Sequence, residues 1–230
     1  MFETMTNADE RHTTNADERQ TADGEERAPS CRVAVLISGR GSNMTALADA
    51  VSAGRVPGAE IVLVLSDQPH AAGLRHAAER GLETLVVERR GRTRDEHDRE
   101  IVEHLRARRV RLVCLAGYMR LLSSHFVEAF RGRILNVHPS LLPAFPGLDA
   151  QRQAVEHGVK WSGCTVHFVD ETLDGGPIIT QRVVPVSDSD TADTLAARIL
   201  HEEHKAYPEA LATVVRGEYE VVGRRVVKKQ

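Results

Sequence analysis

Five short, mostly apolar runs, each followed by a segment with helical character, constrain the fold of this chain more than any other feature. They lie at residues 33–37, 61–65, 83–87, 112–116 and 134–137. Apolar runs of this length are typical of strands that are buried on both faces. Because they alternate with helical segments, we predict a parallel sheet with helices packed on both sides.

The pattern changes after the fifth run. Residues 164–170 and 178–186 predict two strands, and the short link between them is rich in turn residues, so we expect at least one antiparallel pairing. Residues 191–216 predict a hairpin-like helical region that is broken at Pro208, since proline disrupts a helix interior. Residues 219–227 predict a small closing hairpin or strand. The expected class is α/β: a Rossmann-like, three-layer α/β/α fold with a mostly parallel, mixed central sheet.

Residues 1–30 differ in composition from the rest of the chain. The string Thr-Asn-Ala-Asp-Glu-Arg occurs at 6–11 and again at 14–19, and the segment holds eight acidic residues and three arginines. A segment with so few apolar side chains cannot bury enough surface to offset its loss of conformational entropy. We therefore predict a disordered acidic tail over residues 1–30 and a single folded domain over residues 31–230.

Composition narrows the function classes. No apolar run approaches the ~20 residues of a membrane helix, and the N-terminus lacks the apolar core of a secretory signal. The three cysteines are odd in number and widely spaced, which fits reduced thiols and not a disulfide framework. A formal net charge of −3 gives no indication of nucleic acid or a membrane surface as a partner. These features favour a cytoplasmic protein.

The fifth predicted strand carries a candidate pair of reactive side chains. Asn136 and His138 are two residues apart, so on an extended strand they project from the same face. An amide donor beside an imidazole that titrates near neutral pH suits an acyl-group reaction, in which an oxyanion forms and a proton moves. A polar strand end with a capping asparagine and a surface histidine would give the same pattern, so the pair alone does not decide.

Two glycine-containing loops extend this hypothesis. The turn after the first strand reads Gly39-Arg-Gly-Ser-Asn43; it is neither a dinucleotide fingerprint nor a P-loop, but it would suit one phosphate monoester at a helix N-terminus. A plain helix cap is the alternative. Downstream, Asp174 is followed by two glycines and a proline, so a rigid loop could bring its carboxylate to His138 and favour the protonated imidazole. A simple turn is the alternative there.

Four strings of the sequence resemble the folate-dependent formyltransferases, over about residues 33–203. They are Ile37-Ser-Gly-Arg-Gly-Ser-Asn43, Leu115-Ala-Gly-Tyr-Met-Arg120, Leu135-Asn-Val-His-Pro-Ser-Leu-Leu-Pro143 and Gly163-Cys-Thr-Val-His-Phe-Val-Asp-Glu-Thr-Leu-Asp-Gly-Gly-Pro-Ile178. The Asn-x-His-Pro-Ser-Leu-Leu-Pro string with Leu-Asp-Gly-Gly downstream resembles the whole superfamily. The Gly-Ser-Asn loop resembles the branch that formylates glycinamide ribonucleotide.

The resemblance implies a reaction and a set of site residues. The amine of glycinamide ribonucleotide would attack the formyl carbon of 10-formyltetrahydrofolate, without a metal, in purine biosynthesis. In the implied catalytic group, Asn136 binds the formyl oxygen, His138 donates a proton, and Asp174 keeps His138 protonated. The implied substrate contacts are Gly41, Ser42 and Asn43 at the ribose phosphate and Glu203 at the glycinamide end. The implied folate contacts are Arg94, Met119, Arg120, Leu121, Leu122 and Asn136.

Some positions depart from the family pattern or carry no role in it. Asp149 and Gln151 stand where many relatives carry histidines, and Ala144 replaces a commonly basic residue, so the finer substrate contacts are open. His167 is expected to support or pack rather than to react. The string His201-Glu-Glu-His204 is not expected to bind a metal, because adjacent positions on a helix point in different directions.

Three other functions stay open at this point. Methionyl-tRNA formyltransferase shares the three catalytic residue types but would need a C-terminal tRNA-binding region, which we do not expect here. A formyltetrahydrofolate hydrolase would carry an N-terminal regulatory domain, for which a thirty-residue tail is too short. A non-catalytic nucleotide- or folate-binding module is disfavoured by the presence of all three reactive side chains. We expect a monomer or a homodimer.

Overall fold

The computed structural model describes residues 30–229. The acidic tail predicted for residues 1–30 lies outside the described residues, Ser30 excepted. The disorder of that tail and the domain boundary at residue 31 therefore stay predictions.

The described residues form nine strands and six helices in the predicted order. The strands are β1 (Cys31–Ile37), β2 (Ala59–Ser66), β3 (Thr84–Val86), β4 (Leu112–Leu115), β5 (Ile134–His138), β6 (Trp161–Phe168), β7 (Ile178–Pro185), β8 (Tyr219–Val222) and β9 (Arg225–Lys228). The helices are α1 (Ser42–Ser52), α2 (Ala72–Ala78), α3 (Arg94–Ala107), α4 (Ser124–Ala129), α5 (Ala150–Glu156) and α6 (Ala192–Arg216).

All nine strands join one sheet, in the order β3-β2-β1-β4-β5-β6-β7-β9-β8. Strands β1 to β5 pair in parallel, whereas β6 runs antiparallel to both β5 and β7. The predicted mixed, mostly parallel sheet is thus confirmed. The strand order reverses between β1 and β4, so a crevice opens at their carboxyl ends, where α/β folds bind ligands.

Side chains of β1 alternate between two hydrophobic cores, one on each face of the sheet. Val33, Val35 and Ile37 lie in the core that also contains buried side chains of α1 and α6. Ala34 and Leu36 lie in the opposite core, with buried side chains of α3 and α4. Residues 33–37 of β1 are buried on both faces and are all apolar, which confirms the three-layer arrangement predicted from the continuous apolar runs.

The prediction of a helix break at Pro208 is wrong. α6 continues through Pro208 as one helix of 25 residues, and Pro208 itself is buried. A proline in a helix interior costs about 3 kcal/mol, but α6 buries a long apolar face that includes Leu195, Ile199 and Leu211, and burying each such side chain contributes about 1.5–3 kcal/mol. Neither α6 nor any other helix within residues 30–229 is long and apolar enough to cross a membrane.

Candidate active site

The imidazole of His138, the last residue of β5, lies between two hydrogen-bond acceptors. Its Nε2 atom is 2.8 Å from the carbonyl oxygen of Phe145, and its Nδ1 atom is 3.4 Å from Oδ2 of Asp174. The side chains of His138 and Asp174 are only 6% and 10% exposed. A neutral imidazole carries one N–H, so only the protonated ring can donate toward both acceptors. Phe145 and Asp174 therefore present one acceptor to each ring nitrogen of His138.

Asp174 reaches His138 because its loop packs tightly against two other segments. Its Oδ2 atom accepts a hydrogen bond of 2.8 Å from the backbone N–H of Gly147, in the loop that follows β5. Two residues later, a Cβ atom on Gly176 would overlap the carbonyl oxygen of Phe168 at the end of β6. Only glycine allows so close an approach of two backbones. The Asp-Gly-Gly sequence thus lets the loop lie against β6 with its carboxylate toward His138.

Asn136 is oriented by a histidine on the neighbouring strand. The antiparallel pairing of β5 and β6 places it opposite His167, with Nδ2 of Asn136 3.3 Å from Nε2 of His167. The Nδ1 atom of His167 lies 2.8 Å from the Phe168 carbonyl, which can only accept, so Nδ1 carries the hydrogen and Nε2 accepts from Asn136. The second N–H of the Asn136 amide is then directed away from His167.

The protonation state of His167 is set mainly by its burial. Burial lowers the pKa of His167, although the Phe168 carbonyl and Asp174 act in the opposite direction. The neutral ring is therefore favoured, and the 3.8 Å approach of its Nε2 to Oδ1 of Asp174 is not an ion pair. His138 and His167 thus approach the two oxygen atoms of the same Asp174 carboxylate.

The predicted phosphate contacts lie together at the start of α1. Gly41 has a left-handed backbone conformation (φ 76°), and a Cβ atom there would lie 2.6 Å from Cα of Gly73, so this loop and α2 pack too closely for a larger residue. α1 begins at Ser42, and the first N–H groups of a helix have no intrahelical partner. The geometry suits an anion.

Glu203 lies beside the phosphate loop. Its Oε2 atom accepts a hydrogen bond of 2.7 Å from Nδ2 of Asn43, and both residues are buried. Burial raises the pKa of Glu203, and the hydrogen bond from Asn43 opposes this shift. The Oδ1 atom of Asn43 is buried and has no hydrogen-bond partner within residues 30–229. The pair joins α1 to α6 and leaves a buried acceptor beside the loop.

A cleft of about 840 Å³ opens on the other side of the phosphate loop. Its lining includes four of the predicted folate contacts, namely Arg94, Met119, Arg120 and Leu121. The side chain of the fifth, Leu122, packs instead against the core beneath α3 and α4. Asn136, in the middle of β5, is not part of the lining either.

The cleft carries more positive charge than the sequence prediction assigned to it. Arg40 and Arg89 line it together with Arg94 and Arg120. None of these four arginines forms an ion pair with a carboxylate of the described chain, whereas the two arginines between Arg89 and Arg94 both pair with glutamates. Unpaired guanidinium groups in a cleft attract carboxylates and phosphates.

The segment from residue 119 to residue 122 presents unpaired backbone groups beside this cleft. Within the described residues, the backbone N–H and C=O groups of residues 120–122 form no hydrogen bond, whereas the N–H of Met119 donates to Oγ of Ser38. Met119 and Leu121 are largely exposed. Free backbone groups flanked by apolar side chains suit a flat heterocycle that needs both stacking and hydrogen bonds.

Residues 31–211 match the model of a protein family described as formyl transferase. The chain belongs to the formyl transferase family. The matched range contains every candidate site residue described above. The formyl transferase fold predicted from the sequence is confirmed by solved structures of the same family.

Three similar proteins illustrate the relationship. The chain is 50% identical over 188 residues to the trifunctional purine biosynthetic protein adenosine-3 of Drosophila melanogaster. The aligned part is 81% of this chain but only 14% of that protein. The chain is 42% identical over 177 residues to phosphoribosylglycinamide formyltransferase of Escherichia coli (strain K12), covering 76% of this chain and 83% of that enzyme. The crystal structure of glycinamide ribonucleotide transformylase 1 from Symbiobacterium toebii has a TM-score of 0.86 at 49% identity, covering 89% and 96% of the two chains.

Sequence reasoning missed several contacts of this candidate site and gave His167 only a general supporting role. The orienting contact of His167 depends on the register between β5 and β6, which no local pattern reveals. The carbonyl of Phe145 contributes through its backbone, so its side-chain identity carries no signal. Arg40 lies within the glycine loop at residues 39–43, so its charge was visible in the sequence.

Proposed function

We propose that this formyl transferase moves the formyl group of 10-formyltetrahydrofolate to the amine of glycinamide ribonucleotide, a reaction of purine biosynthesis. The observation that carries the proposal is the position of His138 between the Asp174 carboxylate and the Phe145 carbonyl, two residues along β5 from Asn136. The names of the Escherichia coli and Symbiobacterium toebii relatives support the same substrate.

The catalytic group supplies hydrogen-bond donors and one proton. The substrate amine attacks the formyl carbon, and the negative charge that develops on the formyl oxygen is stabilised by an N–H of Asn136 and by protonated His138. A new C–N bond forms, the bond from the formyl carbon to the folate nitrogen breaks, and His138 gives its proton to that departing nitrogen, while the attacking nitrogen releases one proton to solvent. Asp174 stabilises the imidazolium until the proton leaves.

The two substrates approach this group from opposite sides. In the proposal, Gly41, Ser42 and Asn43 bind the ribose phosphate at the start of α1, and Glu203 binds the glycinamide end. The arginine-lined cleft binds the folate, with Arg94 and Arg120 near its carboxylate tail. Holding both ligands side by side converts a bimolecular step into an effectively unimolecular one, so proximity supplies a large part of the acceleration.

One assay tests the proposal directly. Purified protein is expected to form tetrahydrofolate from 10-formyltetrahydrofolate only when glycinamide ribonucleotide is added. Equal formation of tetrahydrofolate with and without the amine would instead identify a hydrolase. Activity on methionyl-tRNA in place of glycinamide ribonucleotide would identify the tRNA branch.

The proposal also covers the cellular location, the partners and the oligomeric state of the enzyme. We expect it to act in the cytoplasm on small molecules alone, as a monomer or a homodimer. Sedimentation of the purified protein measures the oligomeric state independently of the activity.

A further inference from the structure

The hydroxyl group of Ser38 connects three loops that surround the cleft. Ser38 follows β1, and its Oγ atom donates a hydrogen bond of 2.7 Å to Oδ1 of Asp67, which follows β2. The same oxygen accepts a hydrogen bond of 3.0 Å from the backbone N–H of Met119, beyond β4. The backbone N–H of Ser38 also donates to the carbonyl of Gly117 at 3.1 Å. Ser38 therefore holds the segment that begins at Gly117 at two points.

Asp67 determines that the Ser38 hydroxyl accepts, and does not donate, the hydrogen bond with Met119. A hydroxyl has one hydrogen to donate, and here that hydrogen is taken by the buried Asp67 carboxylate. The lone pairs of Oγ are then left to accept from Met119. The second carboxylate oxygen of Asp67 accepts from Nε2 of Gln68 at 3.0 Å, so the carboxylate is itself fixed.

The far end of the same segment is held by a second buried acid. Oδ2 of Asp98, on α3, accepts a hydrogen bond of 2.5 Å from the backbone N–H of Ser123. Between these anchors lie residues 120–122, whose backbone groups form no hydrogen bond within residues 30–229. A short segment fixed at both ends keeps its free backbone groups in one direction, which lowers the entropy cost of binding a ligand there.

We propose that Ser38 is a positioning residue for the folate co-substrate: by holding Met119, its hydroxyl directs the free backbone of residues 120–122 toward the cleft. The inference rests on the proposed function, because it assigns that backbone to folate. Ser38 acts through Met119 and takes no part in the transfer of the proton.

The test compares Ser38→Ala and Ser38→Thr with the unchanged enzyme. Loss of one hydrogen bond is expected to raise KM for 10-formyltetrahydrofolate about three- to tenfold in Ser38→Ala, while kcat and KM for glycinamide ribonucleotide stay within about twofold. Ser38→Thr keeps the hydroxyl and is expected to restore KM. Thr191→Ala is the matched control, because it also removes a hydroxyl that accepts from a backbone N–H, at the start of α6, and it is expected to leave all three constants unchanged.

A double-variant cycle with Asp67→Ala separates positioning from direct contact. If Ser38 acts by orienting Met119, Asp67→Ala alone raises the same KM, and the double variant is no worse than the more impaired single variant. Additive effects would mean that Ser38 touches the folate itself. An unchanged KM for 10-formyltetrahydrofolate in Ser38→Ala would mean that the hydrogen bond from Met119 to Ser38 does not affect folate binding. Either result overturns the inference.

Hydrogen exchange provides a readout that does not depend on activity. The amide of Met119 is expected to exchange faster in Ser38→Ala than in the unchanged protein, and no faster in Thr191→Ala. Unchanged exchange at Met119 would refute the positioning role even if catalysis were altered. If the unchanged protein showed no amine-dependent activity, the proposed function would fail, while the exchange result would still report whether Ser38 holds Met119.

Discussion

Replacing Asp174 by asparagine tests the link between a loop carboxylate and the charge of His138. The substitution keeps the shape of the side chain but removes its negative charge, 3.4 Å from Nδ1 of His138. Two unit charges about 4 Å apart attract by about 4 kcal/mol at the effective dielectric constant of about 20 that suits protein sites. The cost of desolvating the pair offsets part of this, which leaves about 2–3 kcal/mol of attraction between Asp174 and a positive charge on His138.

That free energy predicts the size of the defect. Because about 1.4 kcal/mol corresponds to a factor of ten in rate, kcat of Asp174→Asn is expected to fall about a hundredfold at neutral pH.

The assay is steady-state formation of tetrahydrofolate at neutral pH, with both substrates saturating. Asp170→Asn is the matched control, because it removes the same charge from the same loop at an exposed position, and it should retain full activity. Thermal unfolding of each variant checks that the fold is intact. A kcat of Asp174→Asn within threefold of that of the unchanged enzyme would refute the electrostatic argument.

Four further substitutions test other parts of the site. His167→Leu removes the acceptor that orients the Asn136 amide, so kcat should fall about tenfold with both KM values nearly unchanged; an equal rise in both KM values would contradict an orienting role. Gly176→Ala adds a methyl group that would overlap the carbonyl oxygen of Phe168, so the loop must shift, and both the melting temperature and kcat should fall. Gly223→Ala adds a methyl group where no other atom lies close, and it should leave kcat unchanged. Arg94→Ala should raise KM for the folate, and added salt should raise that KM less in the variant than in the unchanged enzyme, because one attractive charge is gone. Burial raises the pKa of Glu203, so the stability that this group contributes is full below the ordinary glutamate pKa and is lost as pH rises through the raised value. Glu203→Gln should therefore raise the melting temperature by about 2–4 °C at pH 8, on the scale of about 1 kcal/mol, and should give no gain at pH 4. The same substitution should raise KM for the amine.

The extent to which the site was predictable differs from residue to residue. Asn136 and His138 were identified together because a strand places alternate residues on one face, a property of two neighbouring positions. The proximity of Asp174 to His138 was a hypothesis that needed the loop geometry around Gly176. His167 was assigned only a supporting role, because its partner Asn136 is 31 residues away in the chain.

The amino-acid sequence by itself determined the order of strands and helices, the mixed sheet and the family, because apolar periodicity and short motifs are local properties of the chain. Only the tertiary structure decided that α6 runs through Pro208, that Arg40 and Arg89 join Arg94 and Arg120 in one cleft, and that Ser38 holds Met119. The physical reason is that each of these depends on contacts between segments far apart in sequence. Such contacts are set by packing and register, which local propensity does not encode.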